Sequence, residues 1–157
     1  MERAQFEKMV AEGFDAIPEK FRQKVQNVVF LVEDEPSEKV RREENLTLDE
    51  TLFGLYTGQP LSERGDLYGV GMTMPDTILI YQNPIEEVAH ENIEHRVFNK
   101  DVKHSVFNST EKMIEDEVRK IVAETVWHEI AHHFGFNEAE VRMRERLREA
   151  GISGVSY

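Results

Sequence analysis

The first apolar positions fall at Phe6, Met9, Val10 and Phe14, the three- and four-residue spacing of one helix face. Gly13 weakens that helix near its end, and Pro18 opens a second short one, PEKFRQKV. NVVFLVEDEP then switches to β-branched and aromatic residues and stops at Pro36, which predicts a strand. Residues 35–50, EPSEKVRREENLTLDE, are charged and poor in apolar residues, so a loop is expected. Residues 51–76 carry five of the nine glycines and predict a connector with a short strand around Tyr68 to Val70. TILIYQNP, 77–84, is a second strand. It is bounded by Pro75-Asp76 and by Asn83-Pro84, and proline on both flanks suits the edge of a sheet. PIEEVAHENIEHRV predicts a helix with Pro84 near its start, and FNKDVKHSVFN an irregular stretch.

The last third is the most regular. Asn108 and Glu111 form an N-cap pair, and a helix follows to about Phe134. Ile114, Val118, Ile121, Val122 and Thr125 mark its buried stripe. Gly135 is a natural left-handed stop, and Asn137 with Glu140 caps another helix ending near Gly151. With few strands and helices segregated from them, the fold class is α+β, in one domain spanning 1–157.

The stripe ends in HEIAHHFGFNE, residues 128–138. On a helix His128 and His132 sit ~40° apart and ~6 Å along the axis, so their imidazoles can converge on one ion. Glu129 flanks the same face. It is too close in sequence to ligate comfortably, but it can reach a water on the metal. The bland alternative is a helix with two polar-faced histidines that bind nothing. Zinc in a catalytic site takes three protein ligands and an open position. After the Gly135 turn, Glu138 comes round beneath the metal and is the preferred third ligand. The alternatives for Glu138 are an acid favoured by the next helix's dipole or an i,i+4 partner of Arg142. Glu140, Glu145 and Glu149 are rivals for the ligand position. His133 lies ~100° from His132 and reads as a half-buried histidine beside the site. His90, His95 and His104 read as surface histidines.

Charge and composition narrow the partners. Net charge is −12 and the pI is near 5.0, which disfavours nucleic acid and anionic membranes. RMRERLRE, 142–149, scatters its arginines around a helix and reads as a solvated face. There is no cysteine, which fits a reducing compartment. Residues 1–15 hold no signal-peptide run, and no stretch approaches the ~20 apolar residues of a membrane span. Beginning at Met1, the chain is expected to be complete and cytoplasmic.

These motifs resemble a family of small, mostly bacterial, zincin-like metallopeptidases. FEKMVAEGFDAIPEKFRQKVQNVVFLVEDEPSE resembles the family's opening helices and first strand, LFGLYTGQPLSERG its glycine-containing loop, and PDTILIYQNPIE its second strand. HEIAHHFGFNE resembles its active-site helix and turn. The resemblance implies a minimal zincin fold, with His128 and His132 as metal ligands and Glu129 as catalytic glutamate. Glu138 falls where the family more often has Asp. The segment from about 88 to 107 is longer than the family's, and is expected to cover or narrow the site.

Three functions follow. The favoured one is a zinc-dependent peptidase in which Glu129 is the general base. Tyr56, Tyr68, Tyr81, Tyr157 and His133 are candidate donors to the oxyanion. A metal-dependent endoribonuclease would need a basic groove beside the metal. A non-catalytic zinc-stabilised binding module would need a closed site with four protein ligands. For the peptidase, an extended peptide or unfolded protein is expected to add to the outer edge of TILIYQNP with loose sequence selectivity. A strand paired on both sides would exclude that mode.

Overall fold

The structure, a computed structural model, describes residues 1–47, 50–65, 74–98 and 107–149. Its elements run α1 (Arg3–Asp15), α2 (Glu19–Arg22), β1 (Val28–Glu33), α3 (Glu38–Glu43), β2 (Gly54–Thr57), β3 (Asp76–Tyr81), α4 (Gln82–Phe98), α5 (Phe107–His133) and α6 (Glu138–Glu149). A 3-10 turn, Leu61–Glu63, lies between β2 and β3. The α+β class is as expected. Part of the charged stretch expected to be a loop is helical: Ser37 accepts a hydrogen bond from the Val40 N–H and starts α3. The strand expected at Tyr68 to Val70 lies outside the described residues, as does most of FNKDVKHSVFN. The long helix begins at Phe107, one residue before the expected cap, and the Asn108 side chain is outside the described set.

α5 is the spine. Val118, Val122, Val126 and Ile130 are fully buried along one face. They meet Phe6, Met9 and Val10 of α1 and Ile85 and Ala89 of α4. Full burial of such a side chain is worth about 1.5–3 kcal/mol, so this stripe fixes where the end of α5 lies. Phe21 adds an edge-on contact with Trp127, ring centroids 5.6 Å apart.

The sheet order corrects one expectation. β3 is the central strand, not an edge: β1 pairs with it in parallel (Val28↔Asp76 to Glu33↔Tyr81) and β2 antiparallel (Gly54↔Ile80 to Thr57↔Thr77). The prolines do not disturb this ladder. Pro75 precedes the strand, and Pro84 sits in the first turn of α4, where a missing N–H costs nothing. The uninterrupted apolar run ILIY suits burial on both faces, and Ile78, Ile80 and Tyr81 are fully buried. β1 shows the one-sided alternation of an edge, with Val29 and Leu31 exposed. The expected peptide route along β3 is therefore closed, by β1 and β2 rather than by residues 88–107, whose described part, to residue 98, belongs to α4 packed on α5.

Candidate metal centre

α5 ends at His133 because the chain turns left-handed at Gly135, φ +93°. A side chain there would also run into Ser62. Asn137 and Glu140 then close a reciprocal box: the Asn137 N–H donates to the Glu140 carboxylate at 2.8 Å, and the Glu140 N–H to the Asn137 side chain at 3.0 Å. This box starts α6 at Glu138, so the carboxylate of Glu138 returns towards the helix it has just left.

The result is a convergence of donors. Glu138 Oε1 lies 3.4 Å from His128 Nε2 and 3.1 Å from His132 Nε2. One donor atom from each of the three lies within 4.8 Å of the others, a group that could hold a metal ion. The chemistry of the donors fits zinc. His132 Nδ1–H donates to the Phe136 carbonyl at 2.9 Å, which leaves a bare lone pair on Nε2. Separations near 3.3 Å are what a tetrahedron with bonds of about 2.0–2.1 Å requires. Burial pushes the Glu138 carboxyl up, but the charges of His128, His132 and Arg142 outweigh it and hold it below the ordinary range. The rival Glu140 is committed to its cap, and the side chains of Glu145 and Glu149 are outside the described set.

Glu129 occupies the neighbouring position at only 6 % exposure. Its carboxylate lies against Gly54, where a Cβ would come within 2.8 Å of Oε1, and it accepts the Tyr56 backbone N–H. Burial raises it to about 7, against the pull of His128 and of that hydrogen bond. Two open cavities, about 570 and 460 Å³, meet at this point and share Leu52, Gly54, His128, Glu129 and Glu138 as lining. The cleft so formed runs between β2 and α5.

A second cluster, absent from the sequence reading, lies behind the first. Asp76 at the start of β3 is 4 % exposed. It accepts hydrogen bonds from the Tyr56 hydroxyl at 2.6 Å, the Gln59 N–H at 3.2 Å and His133 Nδ1–H at 3.1 Å, and it pairs with Arg64. Burial alone would raise Asp76; those hydrogen bonds and the Arg64 charge instead hold it low. His133 is fully buried, not half-buried, and burial lowers its pKa. It stays neutral, so Nε2, which has no hydrogen-bond partner, carries no proton that needs one. In sequence Asp76 read only as a turn residue after Pro75, and no local signal marked Arg64.

These contacts remove several oxyanion candidates. The Tyr56 hydroxyl is committed to Asp76, and burial raises its pKa further. Tyr81 is fully buried, its hydroxyl unpartnered and pushed up to about 12. His133 faces Asp76. Tyr68 and Tyr157 lie outside the described residues. His90 and His95 are exposed on α4, as expected of surface histidines, and His104 is not among the described residues. No helix is long and apolar enough to cross a membrane among the described residues.

Comparison with curated proteins gives no match. A family model described as zincin-like metallopeptidase matches residues 25–109 and 109–147. That match takes in the sheet, α5 with its histidines, the Gly135 turn and most of α6, so the chain belongs to the zincin-like metallopeptidase family.

Proposed function

We propose that the protein is a zinc-dependent peptidase with His128, His132 and Glu138 as metal ligands and Glu129 as general base. The observation that carries this reading is the meeting of the three donor atoms with a buried, proton-accepting carboxylate at one point of an open cleft. Zinc would supply Lewis-acid polarisation of the scissile carbonyl and make the attacking water easier to deprotonate. Glu129, raised to about 7 by burial, accepts the proton of that water and returns it to the leaving amine. Its neighbours keep the carboxylate aimed: Gly54 gives it room, and the Tyr56 N–H holds one oxygen.

The substrate in this reading is an extended peptide or unfolded segment lying in the cleft beside β2, which ends the sheet next to α5. Main-chain pairing at Gly54 makes little use of side-chain identity, so selectivity should be loose. The endoribonuclease reading gains no support, because Glu44, Glu63, Glu117 and Glu124 line the cavities against only Lys120 and Arg142. A closed structural site is disfavoured by the 57 % exposure of the Glu138 side chain and by a set of three donors among the described residues.

Metal analysis of protein purified without added zinc, followed by a cleavage survey on an unfractionated peptide library, tests this. One zinc per chain and cleavage are expected. His132→Ala should lose zinc together with the stability its binding confers. Glu129→Gln should keep zinc and fold while turnover falls by about 10² or more. Full zinc occupancy in Glu138→Ala would place the third ligand elsewhere, and unimpaired cleavage by Glu129→Gln would remove Glu129 as the base.

A further inference from the structure

Tyr56 is held at both ends. Its hydroxyl donates to Asp76 at 2.6 Å, and its backbone N–H donates to the Glu129 carboxylate. The register of β2 explains how one residue does both. The Tyr81 N–H donates to the Phe53 carbonyl, so in this antiparallel ladder the residues facing β3 with their polar groups are 53, 55 and 57. Gly54 and Tyr56 therefore turn their N–H and C=O groups outward, towards α5. The Tyr56 ring packs edge-on to His133, centroids 5.8 Å apart, which directs its hydroxyl to Asp76.

Asp76 is itself immobilised from several directions. Gln59 N–H, His133 Nδ1–H and Arg64 all reach it, and Arg64 in turn donates to the carbonyls of Gln59 (2.9 Å) and Gln26 (3.2 Å). The pair Asp76–Arg64 is almost wholly buried, so water does not compete for these bonds. A side chain at Gly58 would overlap the Asp76 carboxyl, just as one at Gly54 would crowd Glu129. Both carboxylates thus rest on bare backbone of the same short segment, two residues to either side of Tyr56.

We infer that Asp76 is a positioning residue for Glu129. Acting through Tyr56, it sets the direction of the backbone N–H that holds the Glu129 carboxylate over Gly54. Through His133 it ties the same strand to the helix that carries His128 and His132, so strand and helix keep a fixed separation. The effect on turnover rests on the peptidase reading; the placement of the N–H does not.

The test uses the whole chain with Tyr56→Phe, Asp76→Asn and the double variant. In metal-free protein the amide at position 56 is followed by hydrogen exchange against the Leu55 amide, which faces β3. Exchange at 56 should quicken by about tenfold relative to Leu55 in both single variants. A ratio unchanged from the parent overturns the inference. In zinc-loaded protein with the peptide library as probe, turnover at saturation should fall by about tenfold, with half-saturation and zinc content unchanged. The double variant should be no slower than Asp76→Asn. A loss in Tyr56→Phe with none in Asp76→Asn would put the hydroxyl on the substrate instead, and overturn the inference. If the parent cleaves nothing, the peptidase reading fails alone and the exchange ratio still decides. If Asp76→Asn does not fold, Tyr56→Phe, which removes one oxygen, carries the measurement.

Discussion

His132 and His133 are adjacent in sequence and serve two different clusters. His132 faces Glu138 in an open cleft, and its partner carboxylate is more than half exposed. His133 faces Asp76 at zero exposure, and that carboxylate is 4 % exposed. Each pair sets an imidazole against an acid, but the cation beside the buried acid, Arg64, is itself buried, whereas Arg142 beside the cleft acid is mostly exposed. Removing a carboxylate from water is costly unless a positive charge accompanies it, so the buried cluster must be complete within the chain. The cleft cluster is open to water, which screens its charges. One helix thus turns a histidine to a buried acid neutralised within the chain on one side, and two histidines to a solvent-open acid on the other.

The sharpest way to break this contrast is to remove the built-in cation. Arg64→Ala leaves Asp76 buried beside a neutral histidine and should destabilise the fold by about 3–5 kcal/mol in chemical denaturation. A loss below ~1 kcal/mol would show that water reaches Asp76, and the two clusters would then not differ in kind.

pH should separate the clusters next. In chelated protein Glu129 titrates near 7 when folded and near 4.5 when unfolded. The folded state therefore holds more protons between those values, and this group's contribution is present below about 4.5 and lost as pH rises through 7. Asp76 is depressed, so its contribution is present above the unfolded value near 3.8 and lost as pH falls. Denaturation of chelated parent and Glu129→Gln from pH 4.5 to 8 should show the variant gaining on the parent as pH rises, by up to about 3 kcal/mol. A pH-independent difference would show that Glu129 is not buried as described.

The smallest effect is expected at Arg142, whose Nε lies 3.3 Å from Glu138 Oε2 with both side chains mostly exposed. Arg142→Ala should change stability of the chelated protein by no more than about 1 kcal/mol. A loss matching that of Arg64→Ala would make the cleft pair as structural as the buried one.

What could be read in advance follows the range of the interactions. The α5 stripe, the Gly135 stop and the Asn137–Glu140 box are set by residues within a few positions of one another, and periodicity and capping rules reach them. The same local turn and cap bring the Glu138 carboxylate beside the histidines. The strand order was not local. Pro75 and Pro84 suggest an edge for TILIY, whereas its unbroken apolar run matches the central strand that it forms. The Asp76 cluster joins residues 12, 17, 20 and 57 positions from Asp76, and a lone Asp after proline has the ordinary look of a turn. Tyr56 is expected from sequence as an oxyanion donor and Gly54 as part of a glycine-containing loop; their strand is not, since four residues have too little pattern to announce it.

The hydrogen bond from Tyr56 to Glu129 also bears on self-association. The end of a sheet is a template on which another copy of the chain can extend the ladder. β2 offers only four residues for this, and of its two outward-turned residues, Gly54 and Tyr56, the latter has its N–H already occupied by the acid of its own helix. A peptide can still meet the strand at Gly54, over a length suited to a transient visitor. Along β2, among the described residues, a long, in-register ladder of the kind that seeds aggregates finds no continuous row of vacant donors, so the residue proposed to move the proton also guards this one of the sheet's two edges.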